Sequence, residues 1–343
     1  MNSLGILYTM KASATPRMNS KVTAELHVNY WKVPKQGGSY HRFLDFGVMI
    51  NQVAHEIDSI SFYFPCQIHG GDITDLGGKL KDSSLLCTLF NMDMQVQNIS
   101  SSPSYSMVTP KRTSDRHSFW LYELGTTNFQ LSSVKSGGTL LSIRIKSQPK
   151  SGNQINRAST DTINRNLYFR FRVKNIPVNS IFSEEQISND FLQSAFSRTE
   201  MMDLRINEIR EMDKKVFEDI TEGRNFLTFS KFHFFFIGSS EDEKIEGNTS
   251  YNDCRLIDTN RWKAYMNEFA NESKKCIAYH WKRVQDSPDK PIIKCNVFLR
   301  TIYSSLNWKK VFKYCGVIVI LNIIACLIFE PLKYLFLLMI KLI

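Results

Sequence analysis

The chain has 343 residues, 43% hydrophobic and 22% charged, with 43 lysines and arginines against 33 aspartates and glutamates, a formal net charge of +10. That balance excludes a disordered or fibrous chain, and 24 phenylalanines supply material for a sizeable core. Seven scattered cysteines, none with CxxC spacing, argue against a disulfide scaffold or zinc ribbon and fit free thiols in a reducing compartment.

The opening MNSLGILYTMK lacks a charged start, a sustained apolar core and a small-residue cleavage site, so everything before Trp308 is expected to stay in the cytoplasm. The sequons at Asn98, Asn248 and Asn271 would then meet no glycosylation machinery. Residues 1–20 read as a poorly ordered N-terminus. In VTAELHVNYW, Ala24, Leu26, Val28 and Tyr30 alternate with Thr23, Glu25, His27 and Asn29, which predicts a strand with one wet face. FLDFGVMI, IDSISFYF, LLCTLFNMDMQV, SFWLYEL, TLLSIRIK and NLYFRFRVK follow as further predicted strands, separated by Gly, Pro, Ser and Asn clusters. Short strands at this spacing indicate a mainly antiparallel sandwich- or barrel-like domain over residues 21–180.

Residues 181–305 change character and read as an α+β domain. Ser183-Glu184-Glu185-Gln186 has the form of a capping box, with Ile187, Phe191, Leu192, Ala195 and Phe196 behind it at helical spacing. Ile206, Ile209, Val216 and Ile220 continue that spacing. FSKFHFFFI predicts a strand buried on both faces, CRLI, KCIAYHWKRV and IIKCNVFLRTIY predict further strands, and a short helix is expected around Trp262.

Residues 308–343 predict a C-terminal membrane anchor. From Val311 to Phe329 the only charge is Lys313, and nineteen residues at about 1.5 Å each reach roughly 28 Å, close to the ~30 Å hydrocarbon core of a bilayer. Trp308 and Tyr314 suit the interface, and Lys309, Lys310 and Lys313 mark that side as cytoplasmic. Glu330-Pro331-Leu332-Lys333 then predicts a turn at the far interface, because Glu330 and Lys333 would cost several kcal/mol mid-bilayer. Residues 334–343 follow as a return or interfacial segment. The fold class expected is therefore α+β, mainly antiparallel β, followed by a transmembrane helix or a short helical hairpin.

Catalytic signatures are absent. GGDITDLGGKL does not meet the GxxxxGK[ST] spacing, since Ile73 stands where the first glycine belongs and Leu80 follows the lysine. There is no GxSxG elbow, and the seven histidines form no HExxH, HxH or HxxxH. His233, inside FSKFHFFFI, reads as a core histidine. His280-Trp281-Lys282 resembles half of a phospholipase D motif, but no second copy exists and Asp286 comes one residue too early. Asp45, Asp203 and Glu208 are acids of a kind that any chain of this length offers. No metal and no cofactor are implied.

Charge is the better lead. Between Lys135 and Lys174 lie Lys135, Arg144, Lys146, Lys150, Arg157, Arg165, Arg170, Arg172 and Lys174, opposed only by Asp161. In TLLSIRIK the apolar Leu141, Ile143 and Ile145 share one face, and Arg144 and Lys146 the other. In NLYFRFRVK, Leu167, Phe169, Phe171 and Val173 oppose Tyr168, Arg170, Arg172 and Lys174. Paired, these strands would make a basic outer face suited to nucleic-acid phosphates or anionic lipid.

Three classes of function fit a β-rich module held to a membrane. In the first, a sensor–effector, the module binds a cue or protein partner and the tail clusters or perturbs the bilayer. That layout is similar to the membrane effectors of bacterial antiviral abortive-infection systems, a likeness of architecture and not of motif. The abundance of Asn, Ser, Ile, Lys and Phe suggests an AT-rich microbial gene, hence a bacterial inner membrane. The second class is an anchored scaffold, and the third an enzyme whose site is dispersed along the chain.

Overall fold

In a computed structural model, residues 3–12, 22–34, 40–51, 56–99, 104–111, 118–146, 165–177, 182–185, 197–240, 244–247, 249–266, 275–304 and 308–342 are described. In the first half, β1 (Gly5–Met10), β2 (Thr23–Pro34), β3 (Tyr40–Ile50), β4 (Ile57–Phe64) and β5 (Ile73–Asp75) precede helix α1 (Ser83–Phe90). Then come β6 (Met94–Asn98), β7 (Tyr105–Pro110), β8 (Phe119–Tyr122), β9 (Phe129–Ser133), β10 (Thr139–Arg144) and β11 (Asn166–Lys174). The second half holds β12 (Phe182–Glu185), β13 (Ser197–Ile206), α2 (Lys214–Thr221), β14 (Asn225–Phe226) and β15 (Thr228–Ser239). It continues through β16 (Lys244–Gly247), β17 (Asp253–Leu256), α3 (Thr259–Met266), β18 (Cys276–Val284) and β19 (Cys295–Ser304) to α4 (Trp308–Leu342).

The central sheet runs in the order β17-β18-β15-β2-β3-β11-β8-β7-β6, with β5 also paired to β11. Most pairings are antiparallel, but β15 runs parallel to β2, and β11 to β8. One face of this sheet packs on a five-stranded sheet (β14-β1-β4-β10-β9) and a four-stranded sheet (β12-β13-β19-β16). The core between them includes Leu26, Val28, Phe46, Phe62, Leu141, Phe169, Phe171, Leu204 and Leu299. The opposite face carries a second core of Trp31, Phe43, Tyr168, Leu85 and Leu86 of α1, and Trp262 and Tyr265 of α3. Helix α2 covers the outside of the five-stranded sheet through Val216 and Ile220. Side chains at alternate positions of the central strands are thus buried on both sides, as period-2 geometry requires of a sheet between two layers.

Several expectations from sequence are corrected here. The N-terminus is not loose over Gly5–Met10: Ile6 and Leu7 are buried, and β1 pairs with β4 and β14. LLCTLFNMDMQV is not one strand. Asp82 caps α1 by accepting from the Ser84 amide at 2.8 Å, Asn91 closes it in the left-handed conformation, and only Met94–Asn98 is extended. Ser183-Glu184-Glu185 does not start a helix but lies in β12, paired with Thr199–Met202, where a tertiary pairing overrides a local signal. The helical spacing expected through Ile206, Ile209, Val216 and Ile220 gives way to β13 at Ile206 and a 3-10 turn at Ile209–Glu211, and an α-helix forms only from Lys214. Residues 186–196 lie outside the described residues. The boundary expected near residue 180 does not separate two sheets, because β2 and β3 from one half are continuous with β15 and β18 from the other.

Nor does the chain turn at Glu330-Pro331-Leu332-Lys333. Helix α4 passes through Pro331 without a break. Proline removes a single backbone donor, and on an otherwise apolar helix this loss does not end the run. Val311–Ile340 is long and apolar enough to cross a membrane, and its side chains project away from the body: Leu327 is 69% and Phe329 65% exposed. At its base Tyr314 is buried, whereas Lys313, Glu330, Pro331 and Lys333 are exposed; Trp308, Lys309 and Lys310 form the first turn.

Candidate functional site

The basic outer face expected from sequence does not form. Strands β10 and β11 belong to different sheets, β10 between β4 and β9, and β11 between β3 and β8. On β10 the expectation of a wet side holds for Arg144 and, just beyond it, Lys146, both exposed. On β11 it fails: Tyr168 and Arg170 are 0% exposed and Arg172 is 2%. Arg165 and Lys174, at the two ends of β11, are half-buried, and Arg165 directs Nη1 to Met107 Sδ. Lys150 and Arg157 lie outside the described residues.

Burial of two guanidiniums demands partners, and one carboxylate bonds Arg172 directly and acts on Arg170 through the Tyr265 hydroxyl and its charge. Asp45, on β3 opposite Arg172 of β11, accepts from Arg172 Nε at 2.7 Å and Nη2 at 3.1 Å. It also accepts from Trp31 Nε1 at 2.8 Å and from the Tyr265 hydroxyl at 2.7 Å. Arg170 is held less completely. Its Nε donates to the Tyr265 hydroxyl at 2.6 Å and its Nη1 to the Tyr168 hydroxyl at 3.0 Å, but Nη2 has no hydrogen-bond partner. Burial would favour loss of the Arg170 proton, yet Tyr168, Tyr265 and Asp45 outweigh it and raise its pKa, so both arginines stay charged and the cluster carries one unbalanced positive charge. Gly47 makes the space: it sits between His27 on β2 and Arg170 on β11, and a Cβ there would collide with the Tyr168 hydroxyl and come within 2.8 Å of Arg170 Nη1.

Arg170 reaches the wall of a cavity of about 450 Å³ on the helix-covered face of the central sheet, beside the last turn of α1. Its charged lining is Glu25, Lys231, Asp253, Arg255 and Lys282, and its rings and apolar groups include Phe90, Phe119, Phe235 and Met49. Three histidines complete it, one from each of three adjacent strands: His27 of β2, His233 of β15 and His280 of β18. His233 is directly beside His27 in the β15–β2 register, and Lys231 beside Glu25, whose Oε1 it meets at 2.7 Å. His233 Nδ1 lies 3.0 Å from His280 Nε2, and His27 Nδ1 lies 3.4 Å from the Tyr168 hydroxyl. His233 is therefore a cavity residue and not the core histidine that its strand suggested.

The imidazoles are neutral at pH 7. Burial, then His233 and Arg170, holds His27 well below the ordinary histidine range. Burial, then His280 and the two lysines, brings His233 down to about 4. Burial lowers His280 as well, with Asp253 opposing and Lys282 and Arg255 assisting. Glu25, His27 and His233 are the one group among the described residues whose carboxylate and imidazole atoms converge to a separation suited to a metal ion. Of the acids singled out in the sequence, Asp45 serves the arginines, Asp203 pairs with Arg205 and Glu208 with Lys294, so no carboxylate cluster arises from them.

Neither a protein-family model nor a curated protein matches this chain. The molecule is a mostly antiparallel, mixed β-sheet protein with a few helices and a C-terminal apolar helix, and fold and cavity are what define it. The signal that would have located the cavity is the set of two-residue repeats Glu25-x-His27, Lys231-x-His233 and His280-x-Lys282. Each puts two polar groups on one face of a strand, but only the sheet order brings the three strands side by side.

Proposed function

We propose that this protein is a membrane-tethered sensor, not an enzyme, whose β-rich body captures a small anionic ligand in the histidine-lined cavity. The observation that carries this reading is Arg170, a fully buried residue of the cavity lining whose Nη2 has no hydrogen-bond partner and which a small side-chain shift would turn toward a ligand. Leaving a buried donor unsatisfied costs about 1–3 kcal/mol, more when it is charged, and a phosphate or carboxylate oxygen would remove that cost. Lys282 and Arg255 add positive charge to the same cavity, and Phe90, Phe119 and Phe235 offer apolar walls for a ring. The volume lies within the ~300–1,000 Å³ usual for small-molecule sites. Helix α4 would hold the body at the cytoplasmic side of a bacterial inner membrane. An antiviral effector is the setting in which such a cue would act on the tail, by clustering α4 or disturbing the bilayer.

Isothermal titration of the full chain in detergent micelles with adenosine monophosphate, inorganic phosphate and citrate tests the pocket. At least one should bind at one equivalent, and Lys282→Gln should weaken it by about tenfold, the worth of one charge-assisted hydrogen bond. Absence of binding by all three at millimolar concentration would overturn the anion reading. For the tether, the full chain should resist carbonate extraction from bacterial membranes, while a chain ending at Leu306 should be recovered in the soluble fraction. Replacing Val311–Ile340 with an unrelated apolar span separates effector from scaffold: toxicity that survives the exchange makes α4 an anchor only.

A further inference from the structure

We infer that Glu25, His27 and His233 form a binding site for a divalent transition-metal ion, with Zn²⁺ the best match. Each residue presents one ligand atom, and the three atoms lie within 4.8 Å of one another. Zinc bonds of about 2.0–2.1 Å in tetrahedral geometry put ligand atoms about 3.4 Å apart, so the cluster closes on an ion by small side-chain rotations. The backbone is already set. Glu25 and His27 stand two apart on β2, and the parallel β15 places His233 directly beside His27.

Metal binding requires the tautomer with N–H on each Nδ1, which both hydrogen bonds permit. Metal-bound histidines donate their second ring N–H to an orienting acceptor. Here His27 Nδ1 faces the Tyr168 hydroxyl, an oxygen already held by Arg170 Nη1, and His233 Nδ1 faces His280 Nε2. With N–H on each Nδ1, both Nε2 lone pairs are left to ligate, and neither Nε2 has a hydrogen-bond partner among the described residues. Glu25 uses Oε1 for Lys231 and leaves Oε2. The Lys231 ammonium thus occupies part of the place a cation would take, and it competes with the metal. Two imidazoles and one carboxylate suit Zn²⁺ and leave a coordination position open to the cavity. The inference uses neither Arg170 Nη2 nor Lys282 as a ligand and stands apart from the anion reading.

The test is titration of the chelator-stripped full chain, in detergent micelles, with Zn²⁺ against a chromophoric competitor, and with Co²⁺ followed by its visible absorption. One equivalent should bind, with a Co²⁺ spectrum of tetrahedral type. Glu25→Gln and His233→Ala should each weaken Zn²⁺ by more than the ~10–100-fold that loss of an outer partner costs, and His280→Ala should fall within that range. Lys231→Met should strengthen binding, an outcome that a purely structural role for the triad does not give. Lys282→Gln should leave metal stoichiometry unchanged while weakening the anion, which keeps the two readings separable. No Zn²⁺ uptake by the full chain, or uptake that Glu25→Gln leaves unaltered in a variant with unchanged circular dichroism, would overturn the site.

Discussion

Strands β10 and β11 carry the same written pattern and opposite physics. Both set an apolar face against one that carries basic residues, and both bury the apolar set in the core shared by the sheets. On β10 the other face is covered by α2 at Leu140 and meets solvent at the strand's end, where Arg144 is exposed. On β11 the other face meets α3, and Arg170 and Arg172 lie in the interior among Asp45, Tyr265, Tyr168 and Phe43, with Arg172 stacked 4.0 Å over the Phe43 ring. The difference teaches that alternation reports a two-faced strand but not what covers the second face. A basic side chain that is merely solvated at one position becomes, at the other, a buried charge that must be neutralised and hydrogen-bonded.

Substitutions can break that contrast. Asp45→Asn should have the largest effect, because it removes the one carboxylate from two buried guanidiniums; a loss of about 3–5 kcal/mol is expected, read by urea denaturation of the full chain in micelles. Converting Arg172 to methionine in that background should recover part of the loss, since an apolar side chain no longer needs the missing charge. Gly47→Ala comes next, at about 1–3 kcal/mol for overpacking against Tyr168 and Arg170, and it should also weaken any ligand that Arg170 holds. Arg144→Gln with Lys146→Gln should stay within about 0.5 kcal/mol by the same assay, as expected of a solvated face. The same pair should leave retention on nucleic acid or anionic liposomes unchanged. A salt-dependent loss there would restore an electrostatic role to β10 alone.

Much of the β architecture was legible because burial imposes period 2 on strands. VTAELHVNYW, FLDFGVMI, IDSISFYF, TLLSIRIK, NLYFRFRVK and FSKFHFFFI all contribute strands where alternation or aromatic density placed them. LLCTLFNMDMQV misled because its apolar residues come in doublets that fit either period, and the caps Asp82 and Asn91 carry the decision. Ser183-Glu184-Glu185 misled in the other direction, since a capping pattern is local and β12 is held by pairing with β13. The candidate site was not legible. Its members are spread from Glu25 to Lys282, and no short motif contains two of its strands.

What the sequence determined by itself is the set of local periods and the apolar length of α4, both consequences of backbone geometry and side-chain transfer energy acting over a few neighbouring residues. What tertiary structure alone decided is which polar faces meet water. The parallel pairing of β15 with β2 joins residues about two hundred positions apart, and the packing of α1 and α3 covers one side of the central sheet. The pairing sets His27, His233 and Glu25 together, and the covering turns Arg170 from a surface charge into a buried donor, because solvation depends on the whole set of neighbouring layers and not on the residues beside a position in the chain.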